Sequence, residues 1–376
     1  VGGCGQSQSN VATGNREAVL HYGNGAEPQA LDPHVMTSSP DVNIGRALFE
    51  GLVTRHPETL EMVPGSAERW EISEDGKTYT FYINPRARWS NGDRLTAEDF
   101  AWSLRRSLHP AMGNQLAYSL FAILGAQDYA SGKIHDPSSL GIEVLDELTL
   151  QITLNNPDPY FLSTLGTYPA HPVHRATVEA HGKATDRYTP WTRVENFVGN
   201  GPFTLSDWKI NRRVVVSRSE TYWDRENVKL SAIVFHPVDN QSAEEKMFRA
   251  GQLHFTAQIP LSKIPTYQAL PNSPYQQRKL QGTYFLQLNT ASPPLDDPRV
   301  RRALALATDR QRIIDKVLLG TEIPNSVMVP AGTPGYQSAK TLGYAPDKAR
   351  ALMAEAGYPD GEGWPGMEFL FNTSEN

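Results

Sequence analysis

The sequence predicts a mixed α/β protein with a separate α+β unit folded into it. Two patterns carry that prediction. Residues 214–256 read as strand, strand, helix, strand, a β-α-β signature that places helices against a sheet. Residues 55–168 read instead as two hairpins and one capped helix, which close into a compact unit of their own.

The first strand spans Ala18 to Tyr22 and stops at Gly23-Asn24-Gly25. Trp70-Glu71-Ile72 and Tyr79 to Ile83 alternate across a turn holding Asp75-Gly76, a strong hairpin signal. Thr96 and Asp99 form a capping box for a helix that carries Phe100, Trp102 and Leu104. Gly141 to Val144 and Thr149 to Leu154 make the second hairpin, with Asp146-Glu147 near its turn. Further on, Val214 to Val216 and Ala232 to Phe235 read as strands. Ser242 with Glu245 caps a helix that runs to Ala250, Gly251 stops it, and Leu253 to Thr256 reads as the next strand. Gly282 to Asn289 reads as a strong strand. Asp297-Pro298 opens a helix whose apolar face is Val300, Ala303, Leu304 and Ala307. Asp309 caps a second helix bearing Ile313, Ile314, Val317 and Leu318, and Pro346 to Ala356 is a third. A strand at Met367 to Phe371 begins a unit that needs further strands to close, so a truncated chain is expected.

Composition narrows the function classes. The 376 residues suffice for two or three domains. Hydrophobic residues make up 39% and charged residues 20%, the balance of a globular chain rather than a disordered one. A net charge of -6 argues against a nucleic-acid partner, which calls for a basic stripe. No apolar run reaches the roughly 18 residues that span a bilayer. The lone cysteine, Cys4, excludes an internal disulfide and a multi-cysteine zinc site. Val1-Gly2-Gly3-Cys4 resembles the end of a bacterial lipoprotein signal, followed by a Gly-, Ser-, Gln- and Asn-rich tether to Asn15. The resemblance makes Cys4 the lipidation site; a free thiol on a frayed terminus is the alternative.

Catalytic motifs are absent from the sequence. There is no G-x-S-x-G elbow, no H-E-x-x-H and no P-loop. Gly199-Asn200-Gly201 lacks the third glycine of a nucleotide fingerprint and reads as a turn. His171 and His174 have ligand spacing, but Pro172 between them breaks helical geometry, so they read as a surface loop. No metal site, cofactor or catalytic residue is expected. Asp297 reads as an N-cap and Asp158, between two prolines, as a turn residue. Arg299, Arg301 and Arg302 crowd a helix start against its dipole, either as a solvated face or paired with Asp296, Asp297 or a docking partner.

Several segments resemble one family in order and spacing. They are Gln29 to His34, Leu48-Phe49-Glu50-Gly51-Leu52, Trp89-Ser90-Asn91-Gly92-Asp93 with Thr96 to Phe100, Gly199 to Phe203 followed by Trp208 and Tyr222-Trp223, and Tyr284 to Asn289 followed by Pro293 to Asp297 and Val300 to Leu304. Together they resemble the oligopeptide-binding proteins of bacterial ABC importers, the family 5 extracellular solute-binding proteins.

The resemblance implies a two-lobed periplasmic-binding fold, type II-like, with an inserted domain. Residues 1–15 would be the tether, 16–54 and 169–280 lobe one, 55–168 the inserted α+β domain, and 281–376 the start of lobe two. It implies a monomeric, lipid-anchored receptor in the periplasm or on the outer face of the cell membrane. Its partners would be a peptide and the importer's permease subunits. Ser39 would offer main-chain hydrogen bonds to the peptide, with Ser38 and Pro40 beside it in the site. Gln258, Tyr284, Phe285 and Asn289 would line the site, while Ala257 departs from the tyrosine some members place there. The family's aspartate for the peptide amino group would lie beyond residue 376. A chain ending there is therefore expected to bind peptides at least about a hundredfold more weakly, roughly 2.7 kcal/mol. A receptor for a metal chelate, haem-like molecule or murein peptide, a sensory lipoprotein and a secreted hydrolase are the competing readings. The last needs a nucleophile and base in one cleft, and the sequence offers no such pair.

Overall fold

The computed structural model describes residues 9–278, 282–333, 336–337 and 342–370. Cys4 and Phe371 lie outside the described residues. The chain divides into two compact units, Val1–Ile259 and Pro260–Asn376.

Among the described residues of the first unit, eleven strands build three sheets. They are β1 (Val19–Gly23), β2 (Val53–Arg55), β3 (Met62–Pro64), β4 (Ala67–Ile72), β5 (Thr78–Ile83), β6 (Ile142–Asp146), β7 (Thr149–Thr153), β8 (Phe203–Lys209), β9 (Arg213–Arg218), β10 (Ala232–His236) and β11 (Phe255–Thr256). The main sheet has the order β11-β1-β10-β9-β8. β1 runs parallel to both β10 and β11, and β8 and β9 form an antiparallel hairpin on the far edge. β4-β5-β7-β6 is a separate four-stranded antiparallel sheet, and β2 pairs only with β3.

The main sheet and the four-stranded sheet have separate cores, and the β2-β3 pair joins the latter. Alternation on β5 and β7 buries Tyr79, Phe81, Ile83, Leu150 and Ile152, which pack with Trp89, Phe100, Leu104 and Phe161. Phe100 and Leu104 come from the helix Ala97–Leu108, whose start is fixed as expected: Asp99 Oδ2 accepts from the Thr96 N–H at 2.8 Å and from its hydroxyl at 2.9 Å. The main sheet buries Phe203, Val214, Val216 and Phe235 against Ile44, Leu48 and Trp191. Ile44 and Leu48 sit on the helix Ser39–Leu48.

Four expected elements differ from the structure. The helix at 242 starts earlier, as Gln241–Arg249, because Asn240 Oδ1 takes the Ala243 N–H at 2.9 Å and acts as the cap in place of Ser242. The strand from Leu253 shrinks to Phe255–Thr256. There His254 Nδ1 accepts the His21 N–H at 3.0 Å, so a side chain replaces a rung of the ladder. Gly282 to Asn289 forms no strand. A strand needs a partner, and none among the described residues pairs with it; Tyr284 is 78% exposed. Residues 367–370 likewise form no strand.

The second unit is helical. Pro298–Ala307 packs against Pro346–Glu355, burying Val300, Ala303, Leu306 and Ala349. Leu306, rather than the expected Leu304 and Ala307, completes the buried face. Asp297 Oδ1 accepts the Arg299 N–H at 2.7 Å, as its reading as an N-cap requires, and the same carboxylate binds the Arg299 guanidinium at 2.6 Å. Asp309 caps Arg310–Lys316 through the Arg312 N–H at 3.0 Å.

Candidate ligand-binding site

Two buried polar networks hold the first unit's motif segments in place. Glu50 is the hub of one. Ser66 Oγ donates to Glu50 Oε2 at 2.9 Å, Trp223 Nε1 donates to the same oxygen at 2.8 Å, and the Tyr222 hydroxyl donates to Oε1. Asn200 closes the ring: its Nδ2 donates to the Glu50 carbonyl at 2.8 Å, and its Oδ1 accepts the Glu50 N–H at 3.1 Å. Burial pushes the Glu50 carboxyl up, against the pull of these donors. Gly201 must be glycine, since a Cβ there would lie 2.5 Å from the Leu48 carbonyl carbon. Three of the motif segments, near 50, 200 and 222, thus meet at one residue: Tyr222 and Trp223 at the Glu50 carboxylate and Asn200 at its main chain.

Asp32 anchors the other network. Arg106 Nη2 and Nη1 grip its two oxygens at 2.6 and 3.1 Å, and both side chains are buried. Arg106 Nη1 also lies 2.7 Å from His34 Nδ1, and His34 Nε2 donates to the His171 carbonyl at 3.0 Å. Burial raises the Asp32 carboxyl, but the guanidinium more than reverses this and holds it below the usual range. Burial and the same guanidinium drive His34 down to about 4. Burial drives His171 down to about 3, so both rings stay neutral at pH 7.

His171 and His174 do not converge. His174 Nε2 faces Asp93 Oδ2 at 3.1 Å, and its Nδ1 lies 2.7 Å from Thr177 Oγ1. This ties the Trp89–Asp93 segment to the helix Arg175–Ala180. No group of three or more metal-ligating side chains occurs among the described residues.

The candidate contact residues of the first unit gather at the C-terminal ends of β1 and β11. Ligands of open α/β sheets bind at such strand ends. Ser38 is the N-cap of the helix Ser39–Leu48, and its Oγ accepts the Asp41 N–H at 3.4 Å. Asp41 in turn accepts the Gln29 N–H at 2.7 Å, which fixes the approach to the helix. The Pro40 carbonyl accepts from Asn24 Nδ2 at 3.1 Å, directly after β1. Ser39 is exposed at the first helical position, where a backbone N–H has no intrahelical partner. Gln258 follows β11; its Oε1 accepts from Gln241 Nε2 at 2.6 Å. Beneath them Thr256 Oγ1 donates to Glu244 Oε2 at 2.8 Å. A Cβ on Gly23 would lie 2.1 Å from Glu244 Oε1, so the glycine is what admits this carboxylate. Burial pushes Glu244 up. Ser38, Ser39, Pro40 and Gln258 therefore share one end of the sheet.

Tyr284, Phe285 and Asn289 lie in the second unit. Tyr284 and Phe285 are exposed, and Asn289 is engaged locally, accepting the Ala291 N–H at 3.1 Å and donating to Ser292 Oγ at 3.0 Å. Sequence reasoning missed Asn24, Glu244 and Arg106. The Gly23-Asn24-Gly25 run signalled the first only as a strand end. Glu244 and Arg106 look like ordinary surface charges on amphipathic helices.

The family model of bacterial extracellular solute-binding proteins, family 5, middle region, matches residues 61–375. The periplasmic oligopeptide-binding protein OppA of Haemophilus influenzae is 35% identical over 365 residues, covering 94% of this chain and 65% of that protein. The chain thus spans just under two thirds of that curated relative. A periplasmic oligopeptide-binding protein from Borrelia burgdorferi superposes with a TM-score of 0.83 at 32% identity, over 92% of this chain and 68% of that one. H. influenzae OppA in complex with the peptide RPPGFSPFR superposes with a TM-score of 0.80 at 33% identity, over 91% and 67%. The Glu50 and Asp32 networks use the very segments whose order resembled this family, and the chain belongs to the bacterial extracellular solute-binding proteins, family 5.

Proposed function

We propose that the protein is a peptide receptor that captures peptides outside the cytoplasm and delivers them to an ABC importer. The observation that carries this reading is the exposed start of the helix Ser39–Leu48 at the strand ends, held by Asp41 and Asn24, in a chain whose relative is solved with a bound peptide. Peptide recognition through main-chain groups needs such fixed, unpaired backbone donors. Ser38, Ser39, Pro40 and Gln258 are the first unit's contacts, and Tyr284, Phe285 and Asn289 the second unit's. We further propose the four-part division given by the resemblance, supported by the separate sheet β4-β5-β7-β6 and its own core. In this reading the receptor is a monomer tethered through a lipid on Cys4 at the outer face of the cell membrane.

Ser39→Pro tests the site. Proline suits the first turn of a helix but deletes the N–H. One lost hydrogen bond to the ligand predicts about a tenfold weaker peptide affinity by calorimetric titration, roughly 1.4 kcal/mol. Unchanged affinity in a folded variant would remove Ser39 from the site.

A further inference from the structure

The β8–β9 hairpin ends in a three-residue turn, 210–212, closed by the Arg212 N–H donating to the Lys209 carbonyl at 2.9 Å. Asn211 takes the left-handed conformation the turn needs, with φ of 56°. The tip carries Lys209, Ile210, Arg212 and Arg213, all exposed, with Ile210 63% exposed. Arg213 pairs with Asp207 at 2.8 Å, while Lys209 and Arg212 form no ion pair among the described residues.

This tip is braced from the side. Both oxygens of Glu27 serve it: Oε1 accepts from Trp208 Nε1 at 2.7 Å and Oε2 accepts the Asn211 N–H at 3.0 Å. Arg193 covers the Trp208 ring at 4.9 Å. A solvent turn needs no such support. A rigid tip lowers the ordering cost of docking. Its position also matters. Val214 pairs with Phe235 and His236 pairs with Gly23, so the tip stands at the same end of the sheet as Ser38–Pro40. A receptor that hands over its ligand must turn this end toward the importer. One apolar side chain with three cations is too little to anchor stably in a bilayer, which takes a larger apolar face or a denser basic cluster. Against an acidic protein surface it supplies a charge-matched contact in a chain whose overall net charge is -6.

We propose that the hairpin tip Lys209–Arg213 is a docking element for an acidic surface loop on the importer's membrane subunits, with Ile210 as its apolar contact. The proposal rests on the receptor reading above. The test uses the full-length protein and its importer in proteoliposomes, comparing wild type with K209E/R212E, K209R/R212K and I210S. Peptide affinity is measured separately by titration. K209E/R212E should bind peptide within about twofold of wild type, yet need at least about tenfold more receptor for half-maximal ATPase stimulation. I210S should shift in the same direction, and K209R/R212K should behave as wild type. Stimulation by K209E/R212E equal to wild type would overturn the proposal. So would a loss confined to flotation with anionic vesicles lacking the importer, which would assign the tip to lipid headgroups. Failure of wild type to bind any peptide would instead sink the receptor reading itself.

Discussion

Arg106 and Asp32 show what a single pair of charges does inside this fold. Both are buried, and each satisfies the other through two contacts. Arg106→Met would keep much of the packing but leave Asp32 buried and unpaired, which costs about 3–5 kcal/mol. Chemical denaturation should show that loss, and a double variant with Asp32→Asn should recover part of it. The pair also explains what was readable. Asp32-Pro33-His34 stood out as a motif, but its partner lies on a helix in another region of the chain, and no local pattern links them. The neutral histidines extend the argument to pH. His34, His171 and His236 have folded values near 4, 3 and 4, below their ordinary 6.5. Between the folded and unfolded values the unfolded chain binds more protons. Their contribution is therefore complete above pH 6.5 and is lost as pH falls through the folded values. Each adds up to about 1.4 kcal/mol of stability per pH unit in that window. Denaturant melts from pH 7 to 4.5 should show falling stability, and His171→Asn should flatten the slope; a pH-independent midpoint would contradict the account. Glu50 opposes this trend, since its raised carboxyl favours the fold at lower pH.

Among the elements, those with local punctuation were legible and those that depend on distant partners were not. The capping box at Thr96 and Asp99, the Asp75-Gly76 turn, where Gly76 has φ of 69°, and the Asp297 and Asp309 caps appear where the residues place them. Gly282 to Asn289 has the composition of a strand, but none of the described residues pairs with it, so its propensity decides nothing. The short β11 shows the same dependence from the other side, because the His254 ring takes a backbone donor that alternation alone assigns to the ladder. The Gly199-Asn200-Gly201 segment, expected as a turn, is an irregular stretch bending into β8 at Gly201, and its role came only with Glu50 in place. Glu50→Ala would strip the partner from Tyr222, Trp223 and Ser66 at once. We expect a loss of about 3 kcal/mol, together with a blue-to-red change in tryptophan emission as Trp223 loses its partner. A change under 1 kcal/mol would mean that the network is incidental.

For the whole molecule, the charge, the lone cysteine and the absence of catalytic motifs narrowed the function classes, and the ordered motifs pointed to one family. The site was legible in part. Ser38 to Pro40 and Gln258 came from the resemblance, and the strand ends that bring them together follow from the parallel pairing of β1 with β10 and β11. Glu244 and Asn24, which brace that place, could not be read from spacing, because helix patterning treats Glu244 as a solvated charge. The central claim is that this place takes peptides. Mass spectrometry of the small molecules released from the purified full-length protein tests it most directly. The account predicts short peptides of mixed sequence, as expected of main-chain recognition; a single defined non-peptide compound, at one equivalent per chain, would contradict it.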